Sequence, residues 1–214
     1  MIVIGAKGFA KELLEDLVSD KYNYNKDNLY FFDNISKNGP EELFNKFKIL
    51  TSLIQVEKIF KETSKEFSIG LGFPKHRKKL TELFENLGGE LTSVISKNAI
   101  IGSFENEIFN GVTIMSGVQI TNGITIGKGS LINLNCTIGH DSIIGDFVEL
   151  SPNVNISGHC KIGDCTSIGS GSTVLPNIII GKNCIIGAGS VITKNIPDNS
   201  VVVGVPGKII KQNN

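Results

Sequence analysis

One of the three histidines in this 214-residue chain stands where a side chain could act on a small molecule. His140 follows Ile138-Gly139 and directly precedes Asp141, a carboxylate that can orient or polarise an imidazole. Eighteen residues further on is Gly158, which has no side chain. If eighteen residues form one structural repeat, His140 faces a bare backbone that leaves room for a ligand. The pattern is typical of general-base chemistry, in which a histidine removes a proton from a reacting group.

The other two histidines are less informative. His76 opens a basic stretch and is expected to be solvated. His159 is one position out of register with His140, so it either lines the same groove or is an ordinary turn residue, and we favour the turn. A zinc site built from three histidines is not expected, because only two lie in this half of the chain. We therefore predict no metal.

A second group of residues could bind an anion. Gly5 and Gly8 follow the short apolar run Ile2-Val3-Ile4, and a glycine turn between a strand and a helix presents free backbone N–H groups to a phosphate. Asp33 and Gly72 close two further predicted strands, and an acid in the first of these positions commonly meets a ribose hydroxyl. These strand ends predict a nucleotide or nucleotide-sugar site, while a plain strand–helix turn remains the alternative.

The elements that position His140 are set by a strict period of six. Every sixth residue from Ile114 to Ile192 is aliphatic, over fourteen consecutive positions. The residue two places earlier is small or β-branched in each hexad, and glycine often follows the aliphatic residue, which we attribute to corners with unusual φ and ψ. A parallel β-helix requires this period, because each coil is three short strands with one inward aliphatic residue each. The phase slips by one residue between Ile101 and Ile108, which predicts a small bulge in the first coil.

The first ninety residues have a different pattern, in which short apolar strands alternate with amphipathic helices. This predicts a Rossmann-like α/β unit of βαβαβ type. We place it at residues 1–92, the β-helix at 93–195 and a C-terminal tail at 196–214. Arg77, at the start of a basic helix after the third strand, is expected to add positive charge to the anion site.

Composition narrows the function classes. Lysine plus arginine equals aspartate plus glutamate at 21 each, so no net charge favours nucleic acid or an acidic membrane. No run of eighteen apolar residues indicates a membrane span. The four cysteines have no metal-ligand spacing and are expected to be reduced structural residues, so we predict a cytoplasmic protein.

These features together resemble the bacterial hexapeptide acetyltransferases, whose fold is a left-handed parallel β-helix. The likeness is to the group that N-acetylates nucleotide-linked amino sugars, with sialic acid O-acetyltransferases as near relatives. The stretches that carry it are Gly139-His140-Asp141, Phe32-Asp33-Asn34, Arg77-Lys78-Lys79-Leu80 and the tail sequence Gly204-Val205-Pro206-Gly207-Lys208. The resemblance implies an acetyl-CoA-dependent acyltransferase of surface polysaccharide or glycan biosynthesis.

The resemblance also implies roles for individual residues. His140 and Asp141 match the catalytic pair, and the backbone N–H of Gly158 matches a contact to the thioester carbonyl. The nucleotide sugar is expected at Gly5, Lys7, Gly8, Asp33, Gly72 and Arg77. Acetyl-CoA is expected along Ser157, Gly158, Pro176, Gly204, Val205, Pro206 and Lys208, in a groove between two copies of a homotrimer. Phe9 and Glu149 stand where several relatives have histidine, so the roles of those histidines do not transfer.

Two alternatives stay open. In the first alternative, the acceptor is the hydroxyl group of a sialic acid or another sugar instead of a nucleotide-linked amine. In the other alternative the protein is a non-catalytic trimeric scaffold that binds a nucleotide sugar, which the degenerate glycine turn and the missing partner histidines would suit.

Overall fold

The alternating strands and helices of the first ninety residues and the six-residue repeat that follows them form two separate units in the structure. The computed structural model describes residues 1–36 and 39–213. One unit contains Met1–Gly72 and His76–Val94, and the other contains Phe73–Lys75 and the chain from Ile95 onward. Among the described residues, no helix is both long enough and apolar enough to span a membrane.

The first unit is an α/β sheet with three helices. Its strands, in sheet order, are β3 (Glu42–Leu43), β4 (Phe47–Leu50), β2 (Tyr30–Phe32), β1 (Ile2–Ile4), β5 (Glu66–Ile69) and β6 (Glu90–Leu91). The helices are α1 (Gly8–Leu17), α2 (Leu53–Glu62) and α3 (Pro74–Asn86). All strand pairs are parallel except β3–β4.

Local sequence explains the helices. α1 buries Ala10, Leu13, Leu14 and Leu17 at helical spacing. α2 begins at Ser52, whose hydroxyl accepts the N–H of Gln55 while the Gln55 side chain accepts the N–H of Ser52. This reciprocal capping box satisfies two donors that the first turn of a helix leaves without partners.

The α/β class predicted for this unit is confirmed, but the sheet has six strands instead of three. The segment at Gly39-Pro40 leads into the β3–β4 hairpin, and β6 adds an edge strand. The short hairpin was missed because β3 has only two residues and Phe44 and Asn45 adopt positive φ in its turn. Such a turn has no glycine signal in the sequence.

The second unit is a prism of three parallel sheets. Its first sheet contains β7 (Val94–Ile95), β10 (Thr113–Ile114), β13 (Leu131–Ile132), β16 (Glu149–Leu150), β19 (Ser167–Ile168), β22 (Ile185–Ile186), β24 (Ser200–Val203) and β25 (Lys208–Gln212). The second contains β8 (Ile100–Ile101), β11 (Gln119–Ile120), β14 (Thr137–Ile138), β17 (Asn155–Ile156), β20 (Thr173–Val174) and β23 (Val191–Ile192). The third contains β9 (Glu107–Ile108), β12 (Thr125–Ile126), β15 (Ile143–Ile144), β18 (Lys161–Ile162) and β21 (Ile179–Ile180).

The register of the prism follows the hexads. Ile138 pairs with Ile156 and Ile144 pairs with Ile162, so each aliphatic residue stacks on the one eighteen positions later. These side chains form one buried column, together with the small residues two places before them. Cys136 belongs to this column, and burial raises the pKa of its thiol to about 11, as expected for a structural cysteine.

Small polar residues of the hexads join consecutive coils. The buried hydroxyl of Ser130 donates to the Gly145 carbonyl and accepts the N–H of Val148. Thr166 makes the same two contacts, to the Gly181 carbonyl and the Cys184 N–H. These residues fill the small position and also satisfy backbone groups that the corners expose.

The corner glycines do not have the unusual φ and ψ that the sequence predicted for them, so that prediction is wrong. Glycines directly after the inward aliphatic residue, such as Gly139 and Gly145, do not have positive φ. They are required because the next coil passes so close that a Cβ on Gly139 would lie 2.6 Å from the Gly158 nitrogen. The left-handed conformation occurs two residues later instead, at every sixth position, and is often held by asparagine or glycine, for example Asn135 and Gly117.

The predicted bulge is confirmed, since β8 and β9 are separated by one residue more than β9 and β10. Asn106 stabilises it through its side-chain amide, which donates to the carbonyls of Gly102 and Thr121. Its amide oxygen accepts the N–H of Ile124 on the next coil. At the other end of the prism, the tail forms β24 and β25, which pair antiparallel.

Candidate active site

His140 lies just after β14, at the corner between the second and third sheets of the prism. Its Nδ1 is 2.7 Å from Oδ2 of Asp141, and both side chains are more than half exposed. A Cβ placed on Gly158 would lie 2.6 Å from His140 Nε2, so the imidazole rests directly over the bare backbone of the next coil. The sequence-predicted trio of histidine, acid and glycine is therefore brought together.

The backbone fixes the pair. Asp141 occupies the left-handed corner position with a φ of 57°, a conformation that aspartate tolerates better than most residues. The neighbouring Ser142 is buried, and its hydroxyl donates to the Ser157 carbonyl and accepts the N–H of Cys160. This bridge holds the segment that carries Gly158 against the segment that carries His140.

Electrostatics keep Asp141 ionised. The hydrogen bond with His140 is the largest influence and lowers the pKa of the Asp141 carboxyl, and the charges of His159 and His140 lower it further. An ionised carboxylate beside Nδ1 accepts a hydrogen bond and so favours the tautomer with its proton on Nδ1. That tautomer leaves Nε2, the atom over Gly158, as the proton acceptor.

The backbone N–H of Gly158 has no hydrogen-bond partner in the part of the chain that the structure describes. At the equivalent positions of another corner, the N–H of Asp146 donates to Asp164 and the N–H of Lys182 donates to Asp198, each on the next coil. The residue one coil beyond Gly158 is Pro176, whose side chain has no acceptor. This N–H is therefore a donor without a partner beside the imidazole.

His159 also belongs to this corner, contrary to the turn role favoured from the sequence. It has a left-handed φ of 57°, so it is a turn residue as well, but its ring approaches the pair. Its Nε2 is 3.6 Å from Oδ2 of Asp141, and its ring packs edge-on against that of His140 with 4.9 Å between centroids. The one-residue offset from His140 was misleading because it places His159 eighteen residues after Asp141, one coil beyond that carboxylate.

The predicted anion site is a separate cavity in the α/β unit, with a volume of about 320 Å³. It is lined by five of the predicted residues, namely Gly5, Lys7, Gly8, Asp33 and Gly72. A side chain at Gly5 is excluded by a φ of 112° and by the Gly70 carbonyl, which would lie 2.8 Å from a Cβ. Lys7 is the N-cap residue of α1 and makes no side-chain cap, so the helix N-terminus is available to an anion.

Asp33 is positioned by its own turn. Its Oδ1 accepts the N–H groups of Ile35 and Ser36, and its Oδ2 accepts the Ser36 hydroxyl at 2.8 Å. Burial alone would raise the pKa of Asp33, but these hydrogen bonds and the nearby charge of Lys7 outweigh it and lower the pKa. The carboxylate is thus ionised, and it keeps acceptor capacity for one further donor.

Arg77 does not lie where the sequence predicted. Its side chain is fully buried, and Nη1 donates to the carbonyls of Ile69 and Leu71 at the end of β5. A buried guanidinium needs such acceptors, so Arg77 stabilises the strand end and does not line the cavity. The basic residues that surround Arg77 in the sequence did not indicate that its own side chain is buried.

The residues predicted to bind the cofactor lie at the histidine corner and in the tail hairpin that hydrogen-bonds to β23. Ser157, Gly158 and Pro176 lie at the histidine corner on consecutive coils. The tail residues Gly204, Val205, Pro206 and Lys208 lie around the turn between β24 and β25, where the N–H of Val191 in β23 donates to the Gly204 carbonyl. Val205 is 70% exposed.

The two positions where relatives have histidine have different surroundings. Phe9 lines the α/β cavity and makes its wall apolar. Glu149 lies in β16 and accepts the hydroxyl of Ser167 at 3.0 Å. Glu149 therefore lies in the first sheet of the prism and not in the strands that flank the His140 corner.

Comparisons with known proteins agree with this architecture. The family of bacterial transferase hexapeptide repeats matches residues 141–175 and 159–194. WeeI from Acinetobacter baumannii AYE is 30% identical, with 98% of each chain covered and a TM-score of 0.76. The chain belongs to the bacterial hexapeptide transferases. This confirms the family and the left-handed β-helix with an N-terminal α/β unit that were predicted from the sequence.

Two further solved structures are similar over nearly the whole chain. The acetyltransferase domain of PglB from Neisseria gonorrhoeae FA1090, solved in complex with acetyl coenzyme A, is 26% identical over 98% of each chain with a TM-score of 0.84. A mutant of perosamine N-acetyltransferase from Caulobacter crescentus, in complex with CoA and GDP-perosamine, has a TM-score of 0.89 at 24% identity and covers 99% of this chain and 96% of its own. No curated protein sequence matches the chain.

Proposed function

We propose that this hexapeptide transferase uses acetyl-CoA to acetylate the amino group of a nucleotide-linked amino sugar. The observation that carries the proposal is the geometry of His140, whose Nδ1 contacts the ionised Asp141 while Nε2 lies over Gly158. One ring nitrogen is oriented by a carboxylate, and the other is left free to accept a proton. That is the arrangement a general base requires.

The reaction needs one base and one oxyanion donor. His140 Nε2 removes a proton from the amine as its nitrogen attacks the carbonyl carbon of the thioester. The unpartnered N–H of Gly158 stabilises the oxygen as it becomes negative. When the tetrahedral intermediate collapses, the C–S bond breaks and the imidazolium returns the proton to the departing CoA sulfur. Acetyl is thereby transferred and His140 is regenerated.

The cofactor is assigned to the prism. Ser157 and Pro176 follow strands of the second sheet on consecutive coils. The exposed tail residues Val205 and Lys208 belong to the β24–β25 hairpin, whose turn hydrogen-bonds to β23 at the far edge of that sheet. Three strand spacings separate β14 from β23, which is about 14 Å along the prism axis. An extended pantetheine arm suits such a groove. The acetyl coenzyme A complex of the similar PglB domain supports this assignment.

The nucleotide is assigned to the α/β cavity. The N-terminus of α1 and Lys7 offer positive charge to a phosphate, and Asp33 offers an acceptor to a ribose hydroxyl. A free sugar would need neither of these groups. For this reason we place a nucleotide-linked amine ahead of a sialic acid as the acceptor.

We further propose a cytoplasmic homotrimer that acts in surface polysaccharide or glycan biosynthesis. Closed symmetry would cover apolar side chains on the flat sheets of the prism, such as Ile143 and Ile179, which are 42% and 48% exposed. Acetyl-CoA and nucleotide sugars are both cytoplasmic metabolites, and the buried thiols suit that compartment.

The decisive experiment measures CoA release with a panel of acceptors. The purified protein is incubated with acetyl-CoA and nucleotide-linked amino sugars, the corresponding free amino sugars, or free sialic acid. The proposal expects turnover with a nucleotide-linked amine. Turnover only with sialic acid would support the O-acetyltransferase alternative, and no turnover with any acceptor would support the scaffold.

The role of His140 is tested by substitution. His140→Ala should lower acetyl transfer by about 10²–10⁴, the contribution of a general base. His76→Ala removes the exposed histidine of the other unit and should leave turnover unchanged. Near-normal turnover of His140→Ala would exclude it as the base.

A further inference from the structure

The histidine corner has three metal-ligating side chains, of which the proposed acetyl transfer uses two. One donor atom from each of His140, Asp141 and His159 lies within 4.8 Å of the other two. The Asp141 carboxylate is 2.7 Å from His140 Nδ1 and 3.6 Å from His159 Nε2. A tetrahedral zinc ion with bonds of about 2.0–2.1 Å separates its ligand atoms by about 3.3 Å, so small side-chain rotations suffice.

The backbone holds these donors together before any ion binds. The N–H of His159 donates to the His140 carbonyl at 2.8 Å, which joins the two coils at this corner. Asp141 and His159 both have φ values of 57°, so each side chain leaves from a fixed left-handed turn. The three side chains are exposed, so an ion could enter and leave without any movement of the backbone.

We propose that His140, Asp141 and His159 bind a divalent cation of the zinc type, and that the bound ion inhibits the enzyme. A histidine-rich donor set with a single carboxylate favours zinc over calcium or magnesium, which prefer oxygen ligands. A count of histidines alone predicts no metal, because it omits Asp141 as a third ligand. The ion is an inhibitor in this proposal and takes no part in catalysis.

Inhibition follows from the tautomer of His140 and rests on the proposed function. A neutral imidazole bound to a metal through Nδ1 carries its proton on Nε2. Binding therefore moves the proton from Nδ1 to Nε2 by exchange with water, with no net loss. Nε2 can then no longer accept a proton from the amine. The ion also replaces the Asp141–His140 hydrogen bond.

Zinc binding is measured first, on tag-free protein and without any substrate. Competition with a chromophoric chelator should give one zinc ion per chain. A Cys165→Ser background removes the one partly exposed cysteine, which could also bind zinc. His159→Asn should weaken zinc binding at least tenfold, because asparagine is a poor zinc ligand yet tolerates the left-handed corner. The matched control His76→Asn should bind zinc like the parent protein.

Acetyl transfer is then followed with and without zinc. The parent protein should lose at least nine-tenths of its activity at zinc concentrations that saturate the chelator-measured site. The activity of His159→Asn, measured relative to its own zinc-free turnover, should resist that concentration. Equal zinc affinity of the parent and His159→Asn proteins would overturn the site. Zinc binding without inhibition would overturn the inhibitory role, whereas zinc binding by a protein with no transferase activity would overturn only the proposed function.

Discussion

At the scale of single residues, Gly158 is the position where an added side chain would directly displace the imidazole of His140. Any side chain at this position meets the far end of an exposed imidazole, which can rotate away without disturbing the fold. A substitution at Gly158 should therefore move the imidazole of His140 while leaving the stability of the prism nearly unchanged. By contrast, a Cβ on the corner glycines Gly139 and Gly163 would lie 2.6 Å and 2.5 Å from the backbone of the next coil.

We expect Gly158→Ala to lower kcat for acetyl transfer by about 10²-fold or more, because the new methyl group displaces Nε2 from the reacting amine. The midpoint of thermal unfolding should change by only a few degrees. Steady-state kinetics and calorimetry on the same preparation test both statements. A variant with unchanged kcat would show that the imidazole need not lie over this backbone.

Asp33 permits a second test at this scale. Asp33→Asn keeps the shape of the side chain but removes the charge and half of the acceptor capacity, so the KM for the nucleotide sugar should rise about tenfold while the KM for acetyl-CoA stays constant. Ser36→Ala is the matched control, because it removes only the 2.8 Å contact inside the turn. If both variants raise the KM equally, Asp33 acts through the loop and not through the ligand.

At the scale of elements, the hydroxyl bridges between coils connect stability to the site. Ser142 and Ser130 make equivalent pairs of hydrogen bonds at different corners of the prism. Only the bridge of Ser142 holds the segment with Gly158. The two serines therefore have equal structural roles and unequal proximity to the chemistry.

Ser142→Ala should destabilise the protein by about 1–3 kcal/mol, because it leaves the Ser157 carbonyl and the Cys160 N–H without their buried partner. Ser130→Ala should cost a similar amount. Denaturant unfolding measures both. Acetyl transfer at a temperature where both variants are folded should fall for Ser142→Ala alone. Equal losses of activity would show that the bridge of Ser142 has no special effect on the active site.

The sequence was sufficient for the prism because its signal is a repeat. Each aliphatic residue reinforces the same phase, and the slip at the first coil was visible as one extra residue between Ile101 and Ile108. The site could be predicted as far as the eighteen-residue stacking reaches, which brought His140, Asp141 and Gly158 together. Features that depend on the direction of one side chain lie outside that signal.

His159 and Arg77 illustrate that limit. His159 is eighteen residues after Asp141 and has the same left-handed corner, but the register alone does not give the direction of its ring toward the carboxylate. The basic neighbours of Arg77 predicted contact with a ligand. Its guanidinium instead donates hydrogen bonds to two carbonyl groups at the end of β5. In both cases a local hydrogen-bonding geometry outweighed the character of the surrounding sequence.

At the scale of the whole molecule, ligand binding distinguishes an enzyme from a scaffold without any assay of turnover. Acetyl-CoA at one hundred times its dissociation constant should stabilise the protein by about 2.7 kcal/mol through mass action. Thermal shift titration should therefore raise the unfolding midpoint with rising acetyl-CoA. Sedimentation at micromolar concentration should give three chains per particle. A stable monomer would contradict the proposed trimer, and a constant midpoint would favour the scaffold.

The bulge held by Asn106 has a consequence for how this gene can change length. Downstream of it, each position is tied to the one eighteen residues away, so a single inserted codon would rotate every later side chain out of the column. Insertions and deletions in that region should survive selection only as whole hexads, which keep the aliphatic residues inward, whereas the segment from Gly102 to Asn106 already absorbs one extra residue. Length variation among descendants of this gene should thus come in multiples of six downstream of the bulge and in single residues at it.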